Sequence, residues 1–362
     1  MRQISVYIDC LMGLFILTKN YFMYQSIELF AWCWWLALWM EMAWFHHVML
    51  NDFDKYSINT LKTNRPNWNC ELWDVATIDF KQYLWQIDLL TWWYPCQSFS
   101  YAWKKLWLDD KRWVLFLEFA RAIDECKPKV FMAENVSGLK SHEWWETLKT
   151  MIKVFEDLWY TVITPKVLKA IHHKVPQKRE RIFIVWVRND LKFDGSFERP
   201  IQDEKIYTLK DALKKWNLFD SDVPHSDWQT YNKSKKEILD LIPPWWYWRD
   251  LPIDLQKEYM QWSFYLWGWK TGIARRISRE EPSLTLTCSP AQKQTERCHP
   301  DETRPFTVRE YARIQTFPDD WKFEWPITQQ YKQIWNAVPV NLWYAMSLAV
   351  KKLLNKLTWN NF

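Results

Sequence analysis

The chain has 362 residues, 48% of them apolar and 25% charged, with a formal net charge of +5. That length builds one large or two modest domains with a real core, and the composition excludes wholesale disorder and a collagen-like fibre. No run of 18 apolar residues suggests a spanning helix, and the mild positive charge permits an anionic partner without requiring one.

Residues 1–22 contain a short apolar run, Cys10 to Leu17, interrupted upstream by Asp9 and followed by no small-residue cleavage site. They read as a leader outside the fold rather than a signal peptide. From there strands and helices alternate. Ser26–Phe30 is expected to be a strand, Leu36–Trp44 a helix, His47–Leu50 a strand and Lys55–Asn64 a helix. Ile87–Leu90 reads as the next strand, Leu115–Cys126 as an amphipathic helix closed by Pro128, and Val130–Ala133 as a strand. Thr147–Leu158 (helix), Thr161–Thr164 (strand) and Arg181–Val187 (strand) follow. This alternation implies βαβ units and a mostly parallel sheet. Residues 188–305 break the rhythm with Pro, Asp, Lys and turn residues, as a separate loop-rich module would. Order returns at Thr307, and Asn341–Leu357 places Leu342, Met346, Ala349, Leu353 and Leu357 on one face of a closing helix.

The seven cysteines are scattered, odd in number and without a C-x-x-C pair. That argues against a disulfide framework or a structural zinc, and makes a reducing cytosol the default compartment. One of them is placed differently. Pro95-Cys96-Gln97-Ser98 follows a strand and a turn, at the sheet edge where open α/β folds bind ligands. Glu134-Asn135-Val136 follows the next strand, and Gln177-Lys178-Arg179-Glu180-Arg181 enters a later one. Thiol, carboxyl and guanidinium thus converge on strand ends.

In this order the motifs resemble the DNA cytosine-5 methyltransferase family, of the bacterial modification type. The resemblance runs from about Ser26 to Leu357. It includes Phe30-Ala31-Trp32-Cys33-Trp34-Trp35, Asn51-Asp52-Phe53-Asp54, Trp73-Asp74 and the Pro95-Cys96-Gln97 segment. Later come Arg309-Glu310-Tyr311-Ala312-Arg313-Ile314-Gln315-Thr316-Phe317-Pro318 and Gln333-Ile334-Trp335-Asn336-Ala337-Val338-Pro339. It implies an α/β class I methyltransferase fold, a Rossmann-like mixed sheet with helices on both faces, plus a smaller loop-rich target-recognition domain. The implied division is a catalytic domain over 23–187, a recognition domain over 188–332 that includes the Arg309–Pro318 motif, a returning segment over 333–357 and a tail over 358–362.

The implied reaction is transfer of a methyl group from S-adenosylmethionine to C5 of a cytosine flipped out of duplex DNA. Cys96 would be the nucleophile, Glu134 the partner of the ring nitrogen and amine, and Arg179 and Arg181 the hold on the O2 side and a phosphate. Phe30, Trp32, Cys33, Trp35, Asp52, Phe53, Asp74, Val75, Pro95, Leu115, Asn336 and Val338 would bind the cofactor. Gln97, Ser98, Lys270, Arg275, Arg276 and Arg279 would meet DNA. No metal is implied. The expected state is a cytoplasmic monomer without membrane attachment, with room for a cognate restriction endonuclease acting on the same site. A non-catalytic DNA-binding relative with a blocked cofactor loop, and an RNA cytosine methyltransferase of the same family, are the alternatives.

The chain has 30 Trp and only 5 Gly, where an ordinary chain of this length would carry about 25 Gly. Trp32, Trp34, Trp35, Trp73, Trp93, Trp113, Trp245, Trp246, Trp267, Trp269 and Trp335 stand where the family carries glycine or where a turn wants it. Trp68, Trp248 and Trp321 stand where tryptophan itself is plausible. The pattern is the one expected if UGA codons that mean glycine in the source organism are written as tryptophan. With real indoles in the cofactor loop, the chain is expected neither to bind S-adenosylmethionine nor to methylate.

Overall fold

A computed structural model describes residues 23–30, 35–93, 111–136, 142–215, 217–266, 272–292, 296–324 and 326–359. The chain opens with β1 (Tyr24–Leu29), α1 (Trp35–Met42), β2 (Phe45–Asn51), α2 (Lys55–Asn64), the two-residue β3 (Cys70–Glu71) and β4 (Leu89–Trp93). It continues with α3 (Lys111–Cys126), β5 (Val130–Val136), α4 (His142–Asp157), β6 (Tyr160–Lys169), β7 (Gln177–Lys178) and β8 (Glu180–Arg188). Seven strands make one sheet in the order β3-β2-β1-β4-β5-β8-β6. The first five are parallel, while β8 runs antiparallel between β5 and β6. The parallel part follows from βαβ crossovers, and the antiparallel pair from the direct return of β6 into β8. The sheet is therefore mixed, as the resemblance implies, and less parallel than the strand–helix rhythm alone suggests.

Strand periodicity divides the core in two. Val130, Met132, Phe183, Val185 and Val187 face one side, with Ala37, Leu38, Met40, Ile58, Leu61 and the apolar stripe of the last helix. Phe131, Ala133, Ile182, Ile184 and Trp186 face the other, against Phe116, Phe119 and Ile123 of α3 and Leu148, Met151 and Phe155 of α4. Successive side chains on a strand point to opposite faces, so near-continuous apolar strands need helices on both. Asp54 caps α2 by accepting from the Tyr56 N–H at 3.0 Å, which fixes the helix start at the residue expected.

Beyond β8 come three short helices, α5 (Leu209–Leu213), α6 (Lys233–Asp240) and α7 (Ile253–Met260), and the strand β9 (Ser283–Leu284), which pairs with β7. A small separate core of Leu239, Ile242, Trp248, Leu251, Met260, Ile273, Ala274 and Cys298 holds this loop-rich part together. The closing helices are α8 (Val308–Ile314), α9 (Ile327–Asn336) and α10 (Val340–Trp359). Val308, Tyr311, Ile314, Tyr331 and Ile334 belong to the core beside the sheet, so the Arg309–Pro318 motif packs there and not in the small core. Among the described residues, no helix is long and apolar enough to cross a membrane.

Candidate active site

The chain order places the reversal of strand order between β1 and β4, and open α/β sheets bind ligands outside the strand ends at such a point. Phe30 directly follows β1, buried, with φ at 57°. Asp52 follows β2, fully buried; its Oδ1 accepts from the Asp54 N–H at 2.8 Å, and its Oδ2 has no partner. Burial pushes its carboxyl up to about 8. Phe53 beside it is exposed. Asp74 caps the turn Val75–Thr77 by accepting from the Ala76 N–H at 3.0 Å, with Val75 buried beneath.

The sequence reading missed one neighbour. Glu28 on β1 is buried, neither carboxylate oxygen has a partner, and burial together with the Asp52 charge holds its pKa well above the usual range. In register it lies opposite Leu50 and Thr91, and the Thr91 hydroxyl is also buried without a partner. The only signal was an acidic residue inside an apolar strand. Unpartnered buried acceptors are costly and call for an explanation. A ligand rich in hydroxyl and amine donors, as S-adenosylmethionine is, fits this set.

Glu134 lies near the end of β5, opposite Trp93 of β4 and Phe183 of β8. Arg181 sits two positions further along the ladder, opposite Val136. Alternation puts both side chains on one face. Arg181 Nε is 2.8 Å from Glu134 Oε1, and both groups are buried. Arg181 also donates to the Glu180 carbonyl at 2.7 Å. A cavity of about 470 Å³ opens beside this pair, lined by Val136, Lys169, Ile171, Lys178, Arg179, Glu180, Arg181 and Thr285. Four of these eight are cationic and one, Glu180, is acidic, so the wall carries a net positive charge that suits an anion.

Arg179 is buried and donates to the Trp335 carbonyl at 3.0 Å, so it also ties β8 to the end of α9. Gln315, inside the Arg309–Pro318 motif, works beside it. Its amide donates to the Ile334 and Ala337 carbonyls at 2.8 and 3.2 Å, and accepts from Gln177 at 3.0 Å. These bonds hold Asn336 and Val338, both buried, against the sheet. Asn336 and Val338 are expected at the cofactor from sequence, whereas Gln177 and Gln315 stand in the quoted motifs without an expected role.

Leu115 lies half-buried on α3. Trp35 is the first residue of α1. Trp32, Cys33, Pro95, Cys96, Gln97, Ser98 and Lys270 lie outside the described residues. In the loop-rich part, Arg275 is half-buried, its guanidinium 5.0 Å from the Tyr247 ring, and Arg279 pairs with Asp301 at 2.6 Å from Nε. Arg276 is turned inward. It is buried and donates to the carbonyls of Ile242, His299 and Leu239 and to the Thr303 hydroxyl, at 2.5–3.0 Å. A guanidinium so engaged organises the small core.

A sequence model of C-5 cytosine-specific DNA methylases matches residues 24–352. The type II methyltransferase M.Eco47II of Escherichia coli is 58% identical over 334 residues, covering 92% of this chain and 80% of that one. M.PspPI of Psychrobacter sp. (strain TA137) is 55% identical over 332 residues, with the same coverage. The solved structure of the Entamoeba histolytica methyltransferase EhMeth shares the fold, with a TM-score of 0.63 at 17% identity over 93% of this chain and 99% of that one. The matched span takes in every strand of the sheet and the buried Glu134–Arg181 pair: the chain belongs to the C-5 cytosine-specific DNA methylase family and is a DNA cytosine methyltransferase.

Proposed function

We propose that the enzyme, with glycine at the positions written as Trp32, Trp34, Trp35 and Trp335, methylates C5 of a cytosine flipped out of a specific duplex site, through a covalent bond between Cys96 and C6 of the ring. The reading rests on the Glu134–Arg181 pair at the sheet edge, with Glu134 in register with Trp93, three residues before Cys96. A base inside a duplex is out of reach, so the target must leave the stack. The electron pair of the Cys96 thiolate forms the S–C6 bond and displaces the C5=C6 π pair onto C5, which becomes nucleophilic. The Glu134 carboxyl meets N3 and the exocyclic amine, where charge builds during addition. Arg181 fixes the Glu134 carboxylate and meets the O2 side. After methyl transfer, loss of the C5 proton returns the pair to the ring and expels Cys96.

S-adenosylmethionine, when bound, supplies the electrophilic methyl group. Asp52, with its unpartnered Oδ2, is suited to the ribose hydroxyls, with Phe30, Phe53, Asp74 and Val75 around the adenine and Asn336 and Val338 closing the far side. Trp32, Cys33, Trp35, Pro95 and Leu115 complete the set by resemblance. Lys169, Lys178 and Arg179 offer charge to the DNA backbone along the cavity wall. Gln97, Ser98, Lys270, Arg275 and Arg279 are the further DNA contacts, and the loop-rich part reads the site. The enzyme acts as a cytoplasmic monomer, paired with a restriction endonuclease for the same sequence.

The test is Cys96→Ser in the enzyme with glycine restored at Trp32, Trp34, Trp35 and Trp335, assayed with labelled S-adenosylmethionine on duplex DNA. Methylation should vanish while DNA binding stays measurable. Full activity in that variant excludes the adduct.

A further inference from the structure

The backbone singles out four tryptophans. Among the described residues, ten that are not glycine have positive φ, and four of those are Trp: Trp44 at 72°, Trp85 at 63°, Trp159 at 74° and Trp245 at 84°. L side chains are strained in this region, and glycine is not. The local geometry at each asks for glycine on its own account. Trp159 follows α4, and its N–H donates back to the Glu156 carbonyl at 2.9 Å. Trp44 follows α1 in the same way, donating to Glu41 at 2.9 Å. Both are helix ends where a left-handed residue, usually glycine, closes the last turn. At Trp245 the Trp246 N–H donates to the Pro243 carbonyl at 3.2 Å, closing a four-residue turn with Pro244 second and Trp245 third. That is a type II turn, whose third residue needs φ near +80°. Trp85 reverses the chain between the turn Lys81–Tyr83 and β4, its N–H on the Cys126 carbonyl at 3.0 Å.

The four are also exposed at the surface. The four rings are 43–56% exposed, whereas Trp248 and Trp321 are 3% and 2% exposed, and Trp68 donates from its indole to Glu41 at 3.1 Å. Trp44 and Trp85 do touch a cation, Lys351 at 5.4 Å and Arg188 at 4.4 Å. Trp159 and Trp245 therefore give the cleaner test.

We propose that the protein made in its source organism carries glycine in place of Trp44, Trp85, Trp159 and Trp245, as at the cofactor-loop positions, because one codon written here as tryptophan is read there as glycine. The inference stands on backbone geometry and does not depend on the catalytic mechanism. The gene should show UGA at these four codons and UGG at Trp68, Trp248 and Trp321; UGG at Trp159 or Trp245 overturns the proposal. An independent measurement compares the chain as written with the Trp159→Gly/Trp245→Gly and Trp159→Ala/Trp245→Ala double variants by thermal unfolding. The glycine double should melt roughly 3–8 °C above the chain as written and above the alanine double, which loses the rings but keeps the strained Cβ. A glycine double no more stable than the alanine double overturns it. Trp248→Gly, at a buried position, should lower Tm.

Discussion

Arg181 Nε lies 2.8 Å from Glu134 Oε1, with both groups buried at the edge of β5 and β8. Each is the other's compensation for leaving water. Removing one partner of a buried pair typically costs about 3–5 kcal/mol, since the other is left buried and uncompensated. Arg181→Ala should therefore lower stability by about that much as well as activity. Glu134→Gln keeps shape and most hydrogen bonding, so it should slow methylation strongly with a smaller loss of Tm. Denaturant unfolding beside single-turnover methylation separates the two. Equal stability losses in both variants would show that the pair is only structural.

Asp52 links cofactor binding to pH. Its carboxyl is raised to about 8 in the folded protein by burial, against about 3.9 when unfolded. Between these values the folded state holds a proton that the unfolded state has released. The stabilisation is complete below about pH 4 and is lost as pH rises through about 8. Asp52→Asn should flatten that decline, giving a higher Tm than the parent at pH 8 and above. The same variant loses the carboxylate acceptor, and S-adenosylmethionine should bind at least about tenfold more weakly. Melting curves from pH 5 to 9 and calorimetric titration check the two effects; an unchanged pH slope would remove Asp52 as its source.

Two adjacent arginines should behave differently. Arg276 donates to three carbonyls and a hydroxyl inside the small core. Arg276→Ala should cost several kcal/mol of stability, because those acceptors stay buried and unpaired. Arg275→Ala should leave Tm nearly unchanged and weaken DNA binding, reducing the slope of log affinity against log salt by about 1. Affinity at several salt concentrations, with Tm as a control, tests both.

Gln315 should matter without touching substrate. Its amide holds the Ile334 and Ala337 carbonyls around Asn336. Gln315→Ala should raise the KM for S-adenosylmethionine more than it lowers kcat, and Gln315→Glu, which cannot donate, should behave alike. A purely structural role would instead lower Tm and leave KM unchanged.

Much of this was legible in local sequence. The strand–helix rhythm and the bounds of α2 depend on short-range pattern: apolar periodicity, caps and turn residues. Other features depend on which distant segments meet. The antiparallel insertion of β8 between β5 and β6 puts Arg181 beside Glu134, and no local signal specifies strand order. The two-residue β3 is too short to carry a period. Arg275 and Arg276 look alike as written, and only packing sends one guanidinium into the small core. Glu28 is an ordinary acid in sequence until the closed sheet strips it of water. The tryptophan excess was countable from composition, but only the backbone angles, set by how each helix end and turn must close, mark out Trp44, Trp85 and Trp159 beside Trp245.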